Sequence, residues 1–86
     1  MRKSKQRRKD RALQSLGDGI RNRRVELGLT QEQIGEAAGL HRTYVTDVEN
    51  GLRNISFFTL LRLAKALECP LSQLMTDTES LDTWDA

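Results

Sequence analysis

The sequence predicts an all-α fold, a compact domain of five helices, and three observations carry that reading. Apolar residues recur at helical rather than alternating spacing, as in Leu16, Ile20 and Leu27. Helix caps and stops punctuate the pattern, with Thr30 and Ser56 as starts and Gly28, Gly39 and Gly51 as ends. The length of 86 residues suits one small core. So modest a core gains stability from dimerisation.

The chain divides into residues 1–12, a basic flexible arm; 13–75, the helical domain; and 76–86, an acidic tail. The arm, MRKSKQRRKDR and the residue after it, lacks apolar periodicity and is expected to be mobile. Two readings of it stand. It lies along DNA phosphates or in a minor groove and adds salt-dependent affinity, or it is a solvated tail that raises solubility. The first helix is expected from about Leu13 or Ser15 to Leu27. Leu16, Ile20, Arg24 and Leu27 share one side, Leu13 extends the stripe backwards, and Gly17 and Gly19 weaken the start. Arg21, Arg23 and Arg24 are candidates for phosphate contact, with a solvated basic face as the plainer account of Arg21 and Arg23.

The second helix is expected over Gln31 to about Ala38. Thr30 and Gln33 have the spacing of a capping box, and Ile34, Ala37 and Ala38 form an apolar face. Gly39 permits the left-handed turn that ends it, and Leu40 plugs that turn into the core. The third helix runs from about Arg42 to Glu49, with Val45 and Val48 inward and Asn50-Gly51 closing it. Its expected cap, His41, is a poorer one than Ser or Asp. His41 is either a surface residue or a DNA contact.

What the third helix shows to solvent suggests its partner. Arg42, Thr43, Thr46 and Asp47 face out, with Tyr44 and Glu49 at the edges. A helix fits the major groove of double-stranded DNA, where Arg pairs with guanine and Thr meets a thymine methyl. The helix ahead of it offers free N–H groups at its first turn, a site for a phosphate oxygen beside Gln31. Tyr44 either packs its ring under the helix or gives its hydroxyl to a phosphate. An ordinary helical hairpin with a polar face is the alternative.

The fourth helix starts after the cap Ser56 and runs to about Leu67. Leu60, Leu61, Ala64 and Leu67 suffice for a core stripe. Phe57, Phe58 and Leu63 are then surplus and call for another surface. A short fifth helix follows at about Pro70 or Leu71 to Met75. With Leu71 and Leu74 it suggests a homodimer face spanning the fourth and fifth helices. In the tail, Leu81 and Trp84 are the apolar residues of note, either packed or belonging to an unstructured end.

Composition excludes several classes. The net charge of +2 conceals an asymmetry: +6 over residues 1–11, zero over 12–75 and −4 over 76–86. No run is apolar enough to cross a membrane, and no apolar stretch follows the basic start as in a secretory signal. The one cysteine, Cys69, permits no internal disulfide, which fits a reducing cytoplasm. One His and one Cys do not make a zinc site of the usual kind. No cofactor, metal or small-molecule effector is expected. No nucleophile–base–orienter set is visible, so an enzyme is not expected. No aromatics interleave the basic residues as stacking platforms for RNA.

The residues Thr30-Gln31, Ala37-Ala38-Gly39-Leu40, Arg42-Thr43-Tyr44-Val45, Val48-Glu49-Asn50-Gly51 and Arg53-Asn54-Ile55-Ser56 resemble the helix-turn-helix of the phage Cro/C1 repressor family. Within it they are most similar to the controller proteins of restriction-modification systems. The resemblance covers roughly residues 16 to 75. It implies a lambda-repressor-like DNA-binding domain. By it, Arg42, Thr43 and Arg53 contact bases, and Arg24, Gln31 and Asn50 contact phosphates; Thr46, one turn on and facing the same side, joins the base contacts, and the Tyr44 hydroxyl joins the phosphate contacts. Gln31 also touches the recognition helix, and Glu49 holds the motif together by pairing with a base, for which Arg24 is the candidate. The chain departs from many controllers in having Asn rather than Arg at position 50. The apolar surplus Phe57, Phe58, Leu63, Leu71 and Leu74 is the expected dimer interface, and dimers in the resembling group use this same region.

The resulting expectation is a sequence-specific transcriptional regulator that binds a pseudo-palindromic operator as a homodimer. The alternative is a protein-interaction module, antitoxin-like or adaptor, in which DNA binding is secondary. A stable dimer favours the first, and a monomer with an adhesive apolar face the second.

Overall fold

The structure, a computed structural model, describes residues 2–76 and Thr78, with the side chains of residues 2–6 and 8 outside the description. Five helices follow in order: α1 (Arg2–Glu26), α2 (Gln31–Ala38), α3 (Arg42–Glu49), α4 (Phe57–Ala66) and α5 (Leu71–Met75). No strand occurs among the described residues. Helix α1 lies against α3 and α5, α2 against α3 and α4, and α4 against α5. Their shared centre is one apolar core built from Leu16, Ile20, Ile34, Ala38, Val45, Val48, Leu60, Leu63, Ala64, Leu67 and Leu74.

Start signals act where the sequence places them. Thr30 Oγ1 accepts from the Gln33 N–H at 3.0 Å while the Gln33 side chain accepts from the Thr30 N–H at 2.8 Å, a closed capping box. Ser56 Oγ accepts from the Thr59 N–H at 3.1 Å. Helix ends are equally regular. The Gly39 N–H bonds the Glu36 carbonyl and the Leu40 N–H bonds the Gly35 carbonyl, with Gly39 left-handed at φ 73°. This paired closure recurs at the ends of α1, α3 and α4. At α4 the left-handed position is held by Glu68 at φ 53°, an L residue where glycine is at ease.

The structure differs from the sequence expectations at four points. Helix α1 begins at Arg2 rather than near Leu13, so the basic segment continues the helix instead of standing apart. Arg, Lys and Gln are strong helix formers and no Gly or Pro interrupts residues 2–16. On α4, Leu63 is fully buried and Leu61 exposed, the reverse of the expectation. Leu60, Leu63, Ala64 and Leu67 sit at i, i+3, i+4 and i+7, the stripe a helix turns to a core, and Leu61 lies outside it. Leu63 and also Leu74 therefore belong to the chain's own core, not to a dimer face. On α2, Ala37 faces solvent.

Gly17 and Gly19 do more than loosen α1. A Cβ on Gly17 would stand 2.5 Å from the carbonyl oxygens of Val48 and Glu49, and one on Gly19 2.8 Å from that of Leu74. The two glycines let α1 approach the backbone of α3 and α5. The acidic tail, with Leu81 and Trp84, lies outside the described residues, apart from Thr76 and Thr78. The Thr78 hydroxyl hydrogen-bonds Ser15 of α1 at 3.2 Å.

Candidate nucleic-acid interface

Helices α2 and α3 are joined by the tight turn at Gly39–His41. Its fit depends on Gly35, where a Cβ would meet the Leu40 carbonyl oxygen at 2.5 Å. The turn is clamped from outside by Arg62 of α4, whose Nη2 donates to the Gly39 carbonyl at 3.0 Å. His41 is extended (φ −69°, ψ 146°), and its Nδ1 accepts from the Thr43 N–H at 3.0 Å. A histidine thus caps α3 in place of the usual hydroxyl or carboxylate.

A buried polar network fixes the inner side of α3. Arg24 on α1 donates from Nε to Glu49 Oε2 at 2.7 Å and from Nη2 to Glu49 Oε1 at 2.9 Å. Its Nη1 donates to the Leu29 carbonyl at 2.8 Å. The side chains are 12% and 2% exposed, so this is a bidentate pair largely out of water. The hydrogen bond to Glu49 raises the pKa of Arg24 further above its ordinary range, against the opposing effect of burial. Gln31, at the first turn of α2, extends the network. Its Nε2 donates to Glu49 Oε1 at 3.0 Å, and its Oε1 accepts from Thr46 Oγ1 at 2.6 Å. Helices α1, α2 and α3 are tied together through these four side chains.

The network places the expected contact residues in distinct situations. Arg24 is committed to intramolecular partners. Gln31 bridges to α3, as the resemblance implied, and stays half-buried at the N-terminus of α2. Thr46 has its hydroxyl proton engaged by Gln31, leaving its methyl and a lone pair. Arg42 and Thr43 are exposed on the outer face of α3. Arg42 Nη1 stands 3.7 Å from Glu32 Oε2, both side chains well exposed. A surface pair of this kind contributes about 0–1 kcal/mol and is readily exchanged for another anion. Asn50 is exposed at the end of α3. Tyr44 is half-buried against the core, and the Arg53 guanidinium carbon lies 5.2 Å from its ring centroid.

Two partnerships were not legible in the sequence. Asp47 accepts from Arg53 Nε at 3.2 Å, across the turn that closes α3. Arg23, a phosphate candidate by sequence, donates instead to the carbonyls of Leu67 and Glu68 at 3.0 and 3.1 Å and so caps the C-terminus of α4. Cys69 lies beside it; burial pushes its thiol pKa up, against the pull of the Arg23 charge. No group of three or more potential metal ligands occurs among the described residues.

Away from this face, α4 presents Phe57 and Phe58, 68% and 69% exposed, together with Leu61. Arg62 connects them to the turn: it holds the Gly39 carbonyl and lies over the Phe58 ring at 5.9 Å. Leu71 is half-buried at the start of α5.

Comparison with known proteins agrees with this geometry. Residues 20–74 match the helix-turn-helix family. The control protein C.SmaI of Serratia marcescens is 44% identical over 61 residues, covering 71% of this chain and 73% of that protein. An uncharacterised HTH-type transcriptional regulator, y4dJ of Sinorhizobium fredii, is 36% identical over 64 residues, covering 74% and 83%. Among solved structures, the restriction-modification controller protein C.AhdI from Aeromonas hydrophila superposes with a TM-score of 0.71 at 40% identity, covering 72% of this chain and 94% of that one.

Proposed function

Because the chain belongs to the Cro/C1-type helix-turn-helix family of DNA-binding transcriptional regulators, we propose that it acts as a homodimer on a pseudo-palindromic operator, as the controller of a restriction-modification system. The observation that carries the reading is the division of α3 into two sides. Glu49 and its partners hold the inner side, while Arg42 and Thr43 are exposed on the outer side, Arg42 held only by its surface pair with Glu32, with Arg53 beside them. A helix so fixed presents its polar edge to a major groove without further ordering.

In this reading Arg42, Thr43 and Arg53 read base edges, and Thr46 contributes its methyl. Gln31 and the N–H groups of α2 meet one phosphate, while Asn50 and the Tyr44 hydroxyl meet others. Arg24 acts from within, by orienting Glu49. The second copy covers Phe57, Phe58 and Leu61, with Leu71 at the margin. Two copies of α3 then enter successive major grooves about one helical turn apart. The likeness to C.SmaI and C.AhdI supports the controller role.

The exposed phenylalanines also fit the second reading, an interaction module whose α4 docks a different protein. One experiment separates the two. DNA bound by the full chain is selected from a random duplex pool at near-physiological salt, and the pure protein is sedimented alongside. A two-fold symmetric motif and a dimer are expected. Recovery of unenriched DNA together with a monomer overturns the regulator reading in favour of the module.

A further inference from the structure

Asp47 is a carboxylate on the outer side of the recognition helix, one turn beyond Thr43, where a phosphate-binding surface would exclude negative charge. It is not idle. Its Oδ2 accepts from Arg53 Nε at 3.2 Å. From another direction, the Tyr44 ring lies under the same guanidinium at 5.2 Å. The ion pair holds one edge of the planar group and the Tyr44 ring lies against it from another side. Folding stability does not account for the arrangement. The Arg53 side chain is 50% exposed, and pairs so placed add little. Among the described residues, Nη1 and Nη2 of Arg53 have no hydrogen-bond partner. These two nitrogens suit end-on pairing with guanine O6 and N7.

We propose that Asp47 is a specificity-determining positioning residue: with Tyr44 it orients Arg53 for base reading and discourages Arg53 from settling on the phosphate backbone. The inference rests on the reading of α3 and Arg53 as the DNA-contacting unit. Without the carboxylate only the Tyr44 ring restrains the guanidinium, further rotamers open to it, and in the complex the strongest anion within reach is a phosphate. Loss of Asp47 therefore strengthens binding to any sequence while blurring the choice among sequences.

The test compares the native chain with Asp47→Asn, Asp47→Glu and Arg53→Ala. Each is titrated against the operator recovered by selection and against a random duplex, over a series of salt concentrations. Asp47→Asn is expected to tighten random binding and to lower the operator-to-random affinity ratio by about tenfold, the scale of one bidentate arginine–guanine pair. The slope of log affinity against log salt steepens by about one, because Arg53 now neutralises a phosphate. Asp47→Glu, which keeps the charge, restores part of the ratio. An unchanged ratio and slope in Asp47→Asn overturns the proposal. So does an equal loss on both DNAs with a lowered melting temperature, which marks a structural role. Arg53→Ala keeps the two levels apart. If it preserves the ratio, the base-reading role of Arg53 has failed; if it collapses the ratio while Asp47→Asn does not, only the role of Asp47 has.

Discussion

Gly17 and Val48 meet backbone to backbone: a Cβ on Gly17 would lie 2.5 Å from the Val48 carbonyl oxygen. No Cβ fits between α1 and the end of α3 at this point. On an open helix surface Gly→Ala stabilises by roughly 0.5–1 kcal/mol. Here Gly17→Ala forces α1 off α3, at a cost of about 1–3 kcal/mol of overpacking. Urea denaturation gives the sign directly, and a stabilised Gly17→Ala variant contradicts the close approach.

The Arg24–Glu49 pair predicts a larger effect. Glu49→Ala leaves a guanidinium partly buried and Gln31 without its acceptor, and Arg24→Leu leaves a carboxylate almost wholly buried. Either change is expected to cost about 3–5 kcal/mol, the scale for breaking a buried ion pair from one side. The double variant should cost less than the sum of the two. Strict additivity in that cycle would show that the groups act independently.

A stabilising change is available at the end of α4. Glu68 holds a left-handed conformation that the other closures of this kind assign to glycine. Glu68→Gly removes the strain and keeps the carbonyl that Arg23 caps. The expected gain is about 0.5–1 kcal/mol, the left-handed penalty of an L residue less the added chain entropy of glycine. A lower melting temperature in this variant would mean that the Glu68 side chain contributes something its geometry does not show.

Cys69 supplies a pH-dependent observable. Burial raises its thiol pKa in the folded chain, with Arg23 opposing. The folded state therefore holds the proton more firmly than the unfolded one. The associated stability is present below the ordinary cysteine range and is lost as pH rises through the raised value. At about pH 8, near where free cysteines begin to ionise, a thiol reagent should modify the folded chain more slowly than the urea-unfolded chain. The gap should narrow with increasing pH. Equal rates at pH near 8 would count against a protected thiol.

Helices α2 to α4 were readable because most of their boundaries are written locally. Thr30 with Gln33, Ser56, Gly39 and Gly51 each act through neighbours a few residues away. The start of α1 was not readable from apolar periodicity, because residues 2–12 form helix without an apolar face to announce it. The sequence does not tell Leu61 from Leu63, because three apolar residues within four positions leave the inward face to the tertiary partners. At the candidate site, the pairing of Arg24 with Glu49 was anticipated through family resemblance, while its bidentate geometry and its link to Gln31 and Thr46 needed coordinates. Asp47 with Arg53, and Arg23 with the end of α4, join residues at no characteristic spacing, so nothing in the string of letters marks them.

The bond of α3 to α1 and α2 through Glu49 bears on the ruler by which a dimer measures DNA. In the proposed complex, a helix tied to two neighbours in this way does not swivel to find its groove. In the proposed dimer the distance and phase between the two reading helices are set at the α4 contact alone. Each base pair inserted between half-sites turns the second one by about 35° around the duplex axis, given 10–10.5 base pairs per turn. With α3 tied to α1 and α2 in this way, either the DNA twists to follow that rotation or a half-site is lost. In the proposed complex, half-site spacing and not only base identity is thereby selected by a carboxylate buried behind the reading face.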